Sequence, residues 1–376
     1  MDAIDEAMHQ AGALAYVAYG TSSDATIRYL TSFRTSDPVI YLKRYNEKGI
    51  IVVPAMEITR AAVESPCTVM SRADAGFFEV LKKEPDISKA TARVIADLAG
   101  GDIIVPSDFP FGLAKDISSF GNITIEKNAL SSLRAIKTER EIGMMQKTQA
   151  AAEDALTAAL AMIRRSRPSG DHLVTPEGSP LTSEQVRYAI HAKLLEHGCR
   201  GVDTIVASGD ETSEVHLRGS GPIAADAPII LDIFPQDEET GYFADMTRTV
   251  VRGEPSPEIR EMYESVSDAQ ALAFSLIRAG ADGSSIYQAV VSFFSDCGYG
   301  TEPHGFVHSL GHGVGLDIHE APSLNLRGSP LAAGNVITIE PGLYYPGIGG
   351  VRIEDMGLVT GGGFSRITRF PEVFCL

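Results

Sequence analysis

The chain reads as two domains of different architecture, a smaller α/β layer domain over residues 1–127 and a larger α+β domain over residues 128–376. Three observations lead there. A length of 376 residues exceeds what one ordinary hydrophobic core serves. The first part alternates strand-like with helix-like stretches, the pattern of a central sheet covered by helices. The second part carries strand-like stretches in pairs joined by turn-like residues, as antiparallel hairpins require.

Within the first domain, ALAYVAYG, PVIYLKR and KGIIVVP are rich in β-branched and aromatic residues and bounded by Gly or Pro, so they read as strands. EITRAAVE, DAGFFEVLKKE and ISKATARVIADLAG have helical spacing. DIIVPSD and ITIEKN read as two further strands. Residues 129–165, rich in Ala, Leu, Met and charged residues, read as one long helix, and the boundary is placed just before it. RPSGDHLVTPEGSP, residues 167–180, reads as a Pro/Gly-rich loop. LTSEQVRYAIHAKLLEHG resumes a helix, with Thr182 or Ser183 as N-cap and Gly198 beyond its end. Strand-like stretches then dominate: VDTIVASG, APIILDIFP, GYFADMTRTVVRG, NVITIEPGLYY and RIEDMGLVT. Helices are expected near 257–279 and 283–297.

Composition excludes several classes. The apolar fraction of 44% is that of an ordinary globular protein. A formal charge of −17 repels polyanions and argues against a nucleic-acid partner. The opening MDAIDEAMHQ lacks a basic segment followed by an apolar one, so no secretory signal is expected. No apolar run of the roughly 18 residues a membrane span needs is present. Cys67, Cys199, Cys297 and Cys375 lie far apart without CxxC spacing, which points to reduced thiols in a cytoplasmic protein.

The chemistry concentrates in the second domain. Asp232 interrupts the apolar run IILDIFP, and a carboxylate on a buried strand is costly unless it is paired or metal-bound. Asp245, in YFADMTRT, follows after the turn-like QDEETG, so a hairpin would set the two acids side by side. Such a pair repels unless a cation sits between them. Glu340 in ITIEPG and Glu354 in GGVRIEDMG repeat the arrangement around GLYYPGIGG. Between the two pairs, HGFVHSLGHGVGLDIHE holds His304, His308, His312 and His319 in a glycine-rich segment where the backbone can approach a ligand closely. Four carboxylates and one imidazole, His312, suit two divalent ions sharing a water. Taken singly, each acid has a plainer explanation: an Asp–Arg pair, with Arg248, plus a solvated turn residue for the aspartates, and an ion pair for each glutamate, with Arg352 adjacent to Glu354.

RAIKTEREI, GYFADMTRT, GHGVGLDIHE and ITIEPGLYYPGIGGVRIED resemble the signature segments of the pita-bread metallopeptidases, which include methionine aminopeptidases, proline aminopeptidases and prolidases, with metal-free creatinases sharing the fold. The likeness runs over roughly residues 131–360, and the first 127 residues resemble the creatinase-type N-terminal domain of the proline-specific members. It implies an α+β pita-bread catalytic domain preceded by a smaller creatinase-type α/β domain. It implies a metallo-exopeptidase that hydrolyses Xaa-Pro bonds, as a dipeptidase or an aminopeptidase. By motif position, Asp232 matches an acid on one metal, Asp245 and Glu354 the bridging acids, and His312 the imidazole ligand. Glu340 matches the ligand that also serves as general base and proton shuttle. His216 (in SEVHLRG), His308 and His319 match histidines that hold the peptide and stabilise the tetrahedral intermediate, and Arg352 an arginine of the substrate site supporting a bridging acid. The implied cofactors are two divalent ions (Mn, Co, Zn or Fe). The implied partners are a small peptide substrate and a second copy in a homodimer, with no membrane.

Two departures from the family pattern stand out, and the second bears on specificity. Asp232 and Asp245 are further apart in sequence than is usual in the family, which fits a longer hairpin turn. Ser323 stands where several prolidases carry an arginine that grips a dipeptide's carboxylate, with Arg327 four residues on. Two other readings are a non-catalytic pita-bread binding module and a metal-free creatinase-type C–N hydrolase. Both should lack the full ligand set, which is present here.

Overall fold

The computed structural model describes residues 3–376, and the chain forms two compact units divided between Arg134 and Ala135. The first contains, in order, α1 (Ala3–Ala11), β1 (Ala15–Gly20), α2 (Ala25–Thr31), β2 (Val39–Arg44), β3 (Ile50–Val53), α3 (Ile58–Glu64), β4 (Thr68–Ser71), α4 (Phe77–Leu81), α5 (Ile87–Ala99), β5 (Ile103–Val105), α6 (Phe111–Ile117), β6 (Ile123–Ile125) and α7 (Ala129–Ala135). Its six strands form one mixed sheet, ordered β4-β3-β2-β1-β5-β6. Alternate residues of β1 enter opposite cores: Tyr16 and Ala18 join one apolar cluster, Ala15 and Val17 another. The sheet is therefore covered on both faces, as the alternation of elements implied. Strand β4 and helices α1, α2 and α6 lie outside the expected set. The four residues of β4, TVMS, are too few to show a period. The division falls later than the expected boundary at 127/128 because α7 commits to the first unit. Leu130 is buried in the Tyr16 cluster and Leu133 packs against it.

In the second unit the single helix expected over 129–165 is interrupted. α8 (Glu139–Arg165) begins afresh at Thr138, whose side chain accepts the Glu141 N–H while the Glu141 carboxylate accepts the Thr138 N–H. Ile136 turns away to bridge Asn335. The expected loop over 167–180 contains a small hairpin, β7 (Arg167–Ser169) with β8 (His172–Val174), turning at Gly170, where φ is 67°. α9 (Ser183–Glu196) is capped by Thr182 and followed by Gly198.

The elements that build the site follow. β9 (Cys199–Arg200), β10 (Ile205–Ser208), β11 (Pro228–Ile233), β12 (Gln236–Asp237) and β13 (Met246–Val251) precede α10 (Pro257–Leu276) and α11 (Gly283–Asp296). β14 (Gly311–Gly313), β15 (Glu320–Leu324), β16 (Val336–Ile339), β17 (Gly342–Tyr345), β18 (Gly349–Arg352), β19 (Asp355–Thr360) and β20 (Gly363–Arg366) complete the unit. Helices α8 and α9 pack on the sheet β10-β11-β13, and α10 and α11 pack against the sheet β15-β14-β16-β19-β20. The Glu354 N–H donates to the Thr247 carbonyl at 3.1 Å, which joins the two sheets. Among the described residues, no helix is long and apolar enough to cross a membrane.

Candidate metal centre

Both acid-bearing hairpins form. β11 pairs antiparallel with β13, and Asp245 immediately precedes β13. β16 pairs antiparallel with β19, with Glu340 following β16 and Glu354 preceding β19. His312 sits at the centre of β14, between β15 and β16. The glycines on either side make that position accessible: a Cβ on Gly311 would collide with the Thr338 carbonyl, and one on Gly313 with the Ala321 carbonyl.

These strands converge on one point. Ligand atoms of Asp245, His312 and Glu354 all lie within 4.8 Å of one another. His312 Nε2 is 3.3 Å from Glu340 Oε1 and 3.6 Å from Asp245 Oδ2. Burial, then the charges of Asp232 and Glu340, push the Asp245 carboxyl well above the usual range. Burial, then Asp245, Glu340 and Asp232, do the same to Glu354. Glu340 is raised to about 8, mainly by burial, while Arg352 opposes the rise.

His312 supplies the test of whether this set fits a cation. Burial pushes its imidazole down to about 4, so it is neutral near pH 7. Nδ1 lies 3.1 Å from the Gly313 carbonyl and must donate to it, so the Nε2 lone pair faces the carboxylates. A lone pair aimed at carboxylate oxygens is favourable only with a proton or a cation between them. Hard oxygen donors with one imidazole are the donor set of a divalent ion, and the residues present fit one.

A second ring of groups orients the first. Arg352 Nη2 donates to Asp232 Oδ2 at 2.7 Å, Nη1 to the Tyr344 hydroxyl at 2.8 Å, and Nε to Thr247 Oγ1 at 3.2 Å. Thr247 in turn donates to Glu354 Oε2 at 2.8 Å. Thr338 Oγ1 accepts the His312 N–H at 3.1 Å and donates to Glu340 Oε1 at 3.4 Å. His319 meets the His312 ring edge-on, with centroids 4.3 Å apart. Burial, then the neighbouring His216, lowers the His319 pKa. Both His216 and His319 are exposed, and neither ring hydrogen-bonds another described residue.

The sequence of a known group of enzymes runs through this centre: the pattern of metallopeptidase family M24 matches residues 143–361. The chain belongs to metallopeptidase family M24. This M24 metallopeptidase is 30% identical to an Xaa-Pro dipeptidase of Pyrococcus horikoshii over 334 residues, covering 88% of this chain and 86% of that one. Its fold is similar to that of an Xaa-Pro dipeptidase from Bacillus anthracis, with a TM-score of 0.84 and 25% identity over 100% of this chain and 98% of the other. It is also similar to an X-Pro aminopeptidase from Thermotoga maritima, with a TM-score of 0.81 and 25% identity over 99% of this chain and 100% of the other. The fold is the pita-bread catalytic domain, preceded in sequence by a smaller α/β domain.

In this M24 metallopeptidase the arginines do not form the ion pairs weighed as the plainer explanation of the acids. Asp232 pairs with Arg352 rather than Arg248, and Arg248 pairs with Asp355. Arg248 lies opposite Leu231 in the β11–β13 register, one step from the Asp232–Thr247 pair, so its side chain leaves from the other face. His308 also departs from expectation. Its Nδ1 is 2.7 Å from the Ser309 carbonyl and its Nε2 2.9 Å from the Tyr344 hydroxyl, so both nitrogens are engaged within the protein. Tyr344, Thr247 and Thr338 were not singled out from sequence. A tyrosine in GLYY and threonines in alternating strands read as ordinary strand residues, and only the register reveals where they point. Arg327 is exposed in a turn beyond β15, its N–H on Asn325 Oδ1.

Proposed function

We propose that this chain is an Xaa-Pro exopeptidase working with two divalent ions, held by Asp232, Asp245, His312, Glu340 and Glu354. One observation carries the reading: a neutral, buried His312 aims its Nε2 lone pair at Glu340 and Asp245, with Glu354 in the same cluster. Mn, Co, Zn or Fe suits this donor set. When bound, such ions supply Lewis acidity and acidify a water.

The residues of the chain do the rest. Glu340 accepts the proton of the attacking water and returns it to the leaving nitrogen. For an Xaa-Pro bond that nitrogen is tertiary, so the returned proton is essential. His216 and His319, with open ring nitrogens, hold the peptide and donate toward the developing oxyanion. His308 acts through Tyr344: a neutral His308, its pKa lowered to about 3 by burial and by Arg352, accepts the tyrosine O–H while Arg352 donates to the same oxygen. That chain holds Arg352 against Asp232. Arg352 thus supports the ligands, reaching Glu354 through Thr247, more than it contacts substrate.

The test is removal of a ligand. Asp245→Ala and Glu354→Ala should each abolish Ala-Pro-Ala cleavage and Mn(II) binding, followed by calorimetry, with the circular dichroism of the native fold retained. Near-normal turnover in either variant sinks the assignment.

Ser323 bears on substrate length. It is exposed on β15 opposite His312, and Arg352 is already committed to Asp232, Tyr344 and Thr247. No arginine at position 323 clamps a dipeptide carboxylate, so peptides longer than two residues are expected to be accepted. With Mn(II) supplied, Ala-Pro-Ala should be cleaved at least as fast as Ala-Pro. A strict preference for Ala-Pro would instead make the enzyme a dipeptidase and require another carboxylate partner.

A further inference from the structure

RAIKTEREI, at the start of the second unit, has no part in the chemistry above, yet one of its residues is buried beneath the histidine segment. The Lys137 ammonium reaches the Glu320 carboxylate, and the two side chains are only 1% and 8% exposed. Glu320 is the first residue of β15 and directly follows His319. Its carboxylate lies under the turn that joins His312 to His319, so closely that a Cβ on Gly315 would collide with it. From the other side, the chain around Lys137 is fastened to the segment leading into β16. The Lys137 N–H donates to the Gly334 carbonyl at 2.9 Å, and Asn335 Nδ2 donates to the Ala135 carbonyl at 2.9 Å.

A buried Lys–Glu pair is a poor source of stability, because desolvating two charges cancels most of their attraction. What it does supply is a fixed position for each partner. His312 has its own restraints, through Thr338 Oγ1, the Gly313 carbonyl and its place in the sheet. His319, at the far end of the turn, makes an edge-on contact with the His312 ring and directly precedes Glu320, and its ring hydrogen-bonds no other described residue.

We propose that Lys137 is a positioning residue: its buried ammonium anchors Glu320 and thereby holds His319 over the reaction centre. The inference rests on the substrate-side role of His319 proposed above. A positioning group of this kind is worth roughly 10–100-fold in activity.

The experiment is a cycle between the pair and the histidine, read on the Mn(II)-supplied full chain with Ala-Pro-Ala. The neutralised pair Lys137→Met/Glu320→Gln should lower kcat by roughly 10–100-fold while KM moves little. Mn(II) affinity of the metal-stripped protein should stay close to wild type. His319→Ala should show a loss of similar kind, and the triple variant should be scarcely worse than His319→Ala alone, because groups acting as one unit are not additive. A paired variant with wild-type kcat, or losses that multiply in the triple variant, overturns the proposal. So does a parallel fall in Mn(II) affinity, which would place the effect at the ligands. If His319→Ala is itself without effect, the role of that histidine falls first and the proposal with it. If His319→Ala is impaired and the paired variant is not, only the proposal falls. Should the paired variant fail to fold, Glu320→Gln alone keeps the side-chain shape and carries the same criteria.

Discussion

Arg248 and Arg352 are both fully buried, and each pairs with an aspartate at 2.7 Å across the two hairpins. Arg248 spends its remaining donors on main-chain carbonyls: Thr247 at 2.9 Å, Glu354 at 2.7 Å, Phe370 at 2.7 Å and Pro371 at 3.4 Å. Arg352 spends its own chiefly on Tyr344 and Thr247, side chains that themselves touch His308 and Glu354, with one longer bond to the Val215 carbonyl at 3.4 Å. The same ion pair thus does two jobs. On the Asp355 side it fastens backbone to backbone; on the Asp232 side it orients groups with chemistry. A single step along β13, from Thr247 to Arg248, separates the two sides, because successive residues of a strand face opposite ways.

The sharpest separation of the two roles comes from removing Arg248. Arg248→Met leaves Asp355 buried without its close partner and strips the bonds to four carbonyls. Breaking a buried pair from one side costs about 3–5 kcal/mol, so a large fall in the thermal midpoint is expected by calorimetry. Arg248→Met/Asp355→Leu should recover part of that loss, since no lone charge remains. A fall of less than about 1 kcal/mol in the single variant, the worth of one ordinary hydrogen bond, would mean that the strut is dispensable.

Arg352 should answer in activity rather than in folding. Arg352→Lys keeps the charge but loses the planar fork, and an ammonium cannot serve Asp232, Tyr344 and Thr247 together in that geometry. Loss of kcat/KM by roughly 10–100-fold, with a thermal midpoint much closer to wild type than that of Arg248→Met, is the expected result from steady-state kinetics and calorimetry. Equal stability losses in the two variants would erase the distinction between them.

The same contrast marks what the sequence makes legible. Each proposed ligand is legible because a carboxylate or histidine stands out against apolar strands or glycines: Asp232 in IILDIFP, His312 in GHG, Glu340 before Pro341. The α/β character of the first unit was readable from its alternating stretches. Cross-chain partners were not. Nearness in sequence suggested Arg248 for the aspartates and Arg352 for Glu354, and the register assigns them otherwise. Tyr344 and Thr247 matter because of what lies across the sheet, which no local pattern encodes. The interruption at 136–138 was hidden for another reason. Thr138 and Glu141 form a capping box inside a stretch of good helix formers, and composition outweighed the cap.

The smallest effect separates the carboxylate cluster from the histidines around it, and it depends on pH. In the metal-stripped protein the folded-state pKa of Glu340 rises from an ordinary 4.5 to about 8, and Asp245 and Glu354 move the same way. Groups raised on folding stabilise the fold below their ordinary values, and that contribution is lost as pH rises through the folded ones. His308 and His312 behave oppositely: lowered from 6.5 to about 3 and about 4, they favour the fold above pH 6.5 and oppose it as pH falls. Above about pH 7.5, one unit beyond the ordinary imidazole value of 6.5, the histidines hold almost no protons in either state and the carboxylates act alone up to about pH 8.5. Over that window the metal-stripped protein should lose stability, on the order of 1 kcal/mol per carboxylate. With Mn(II) supplied the trend should reverse, because the ligands must be deprotonated to bind. Thermal midpoints at a series of pH values, with and without Mn(II), measure both slopes. A midpoint that climbs from about pH 7.5 to 8.5 without metal would mean that the clustered acids are already ionised and otherwise compensated, and the argument from His312 for a cation between them would lose its force.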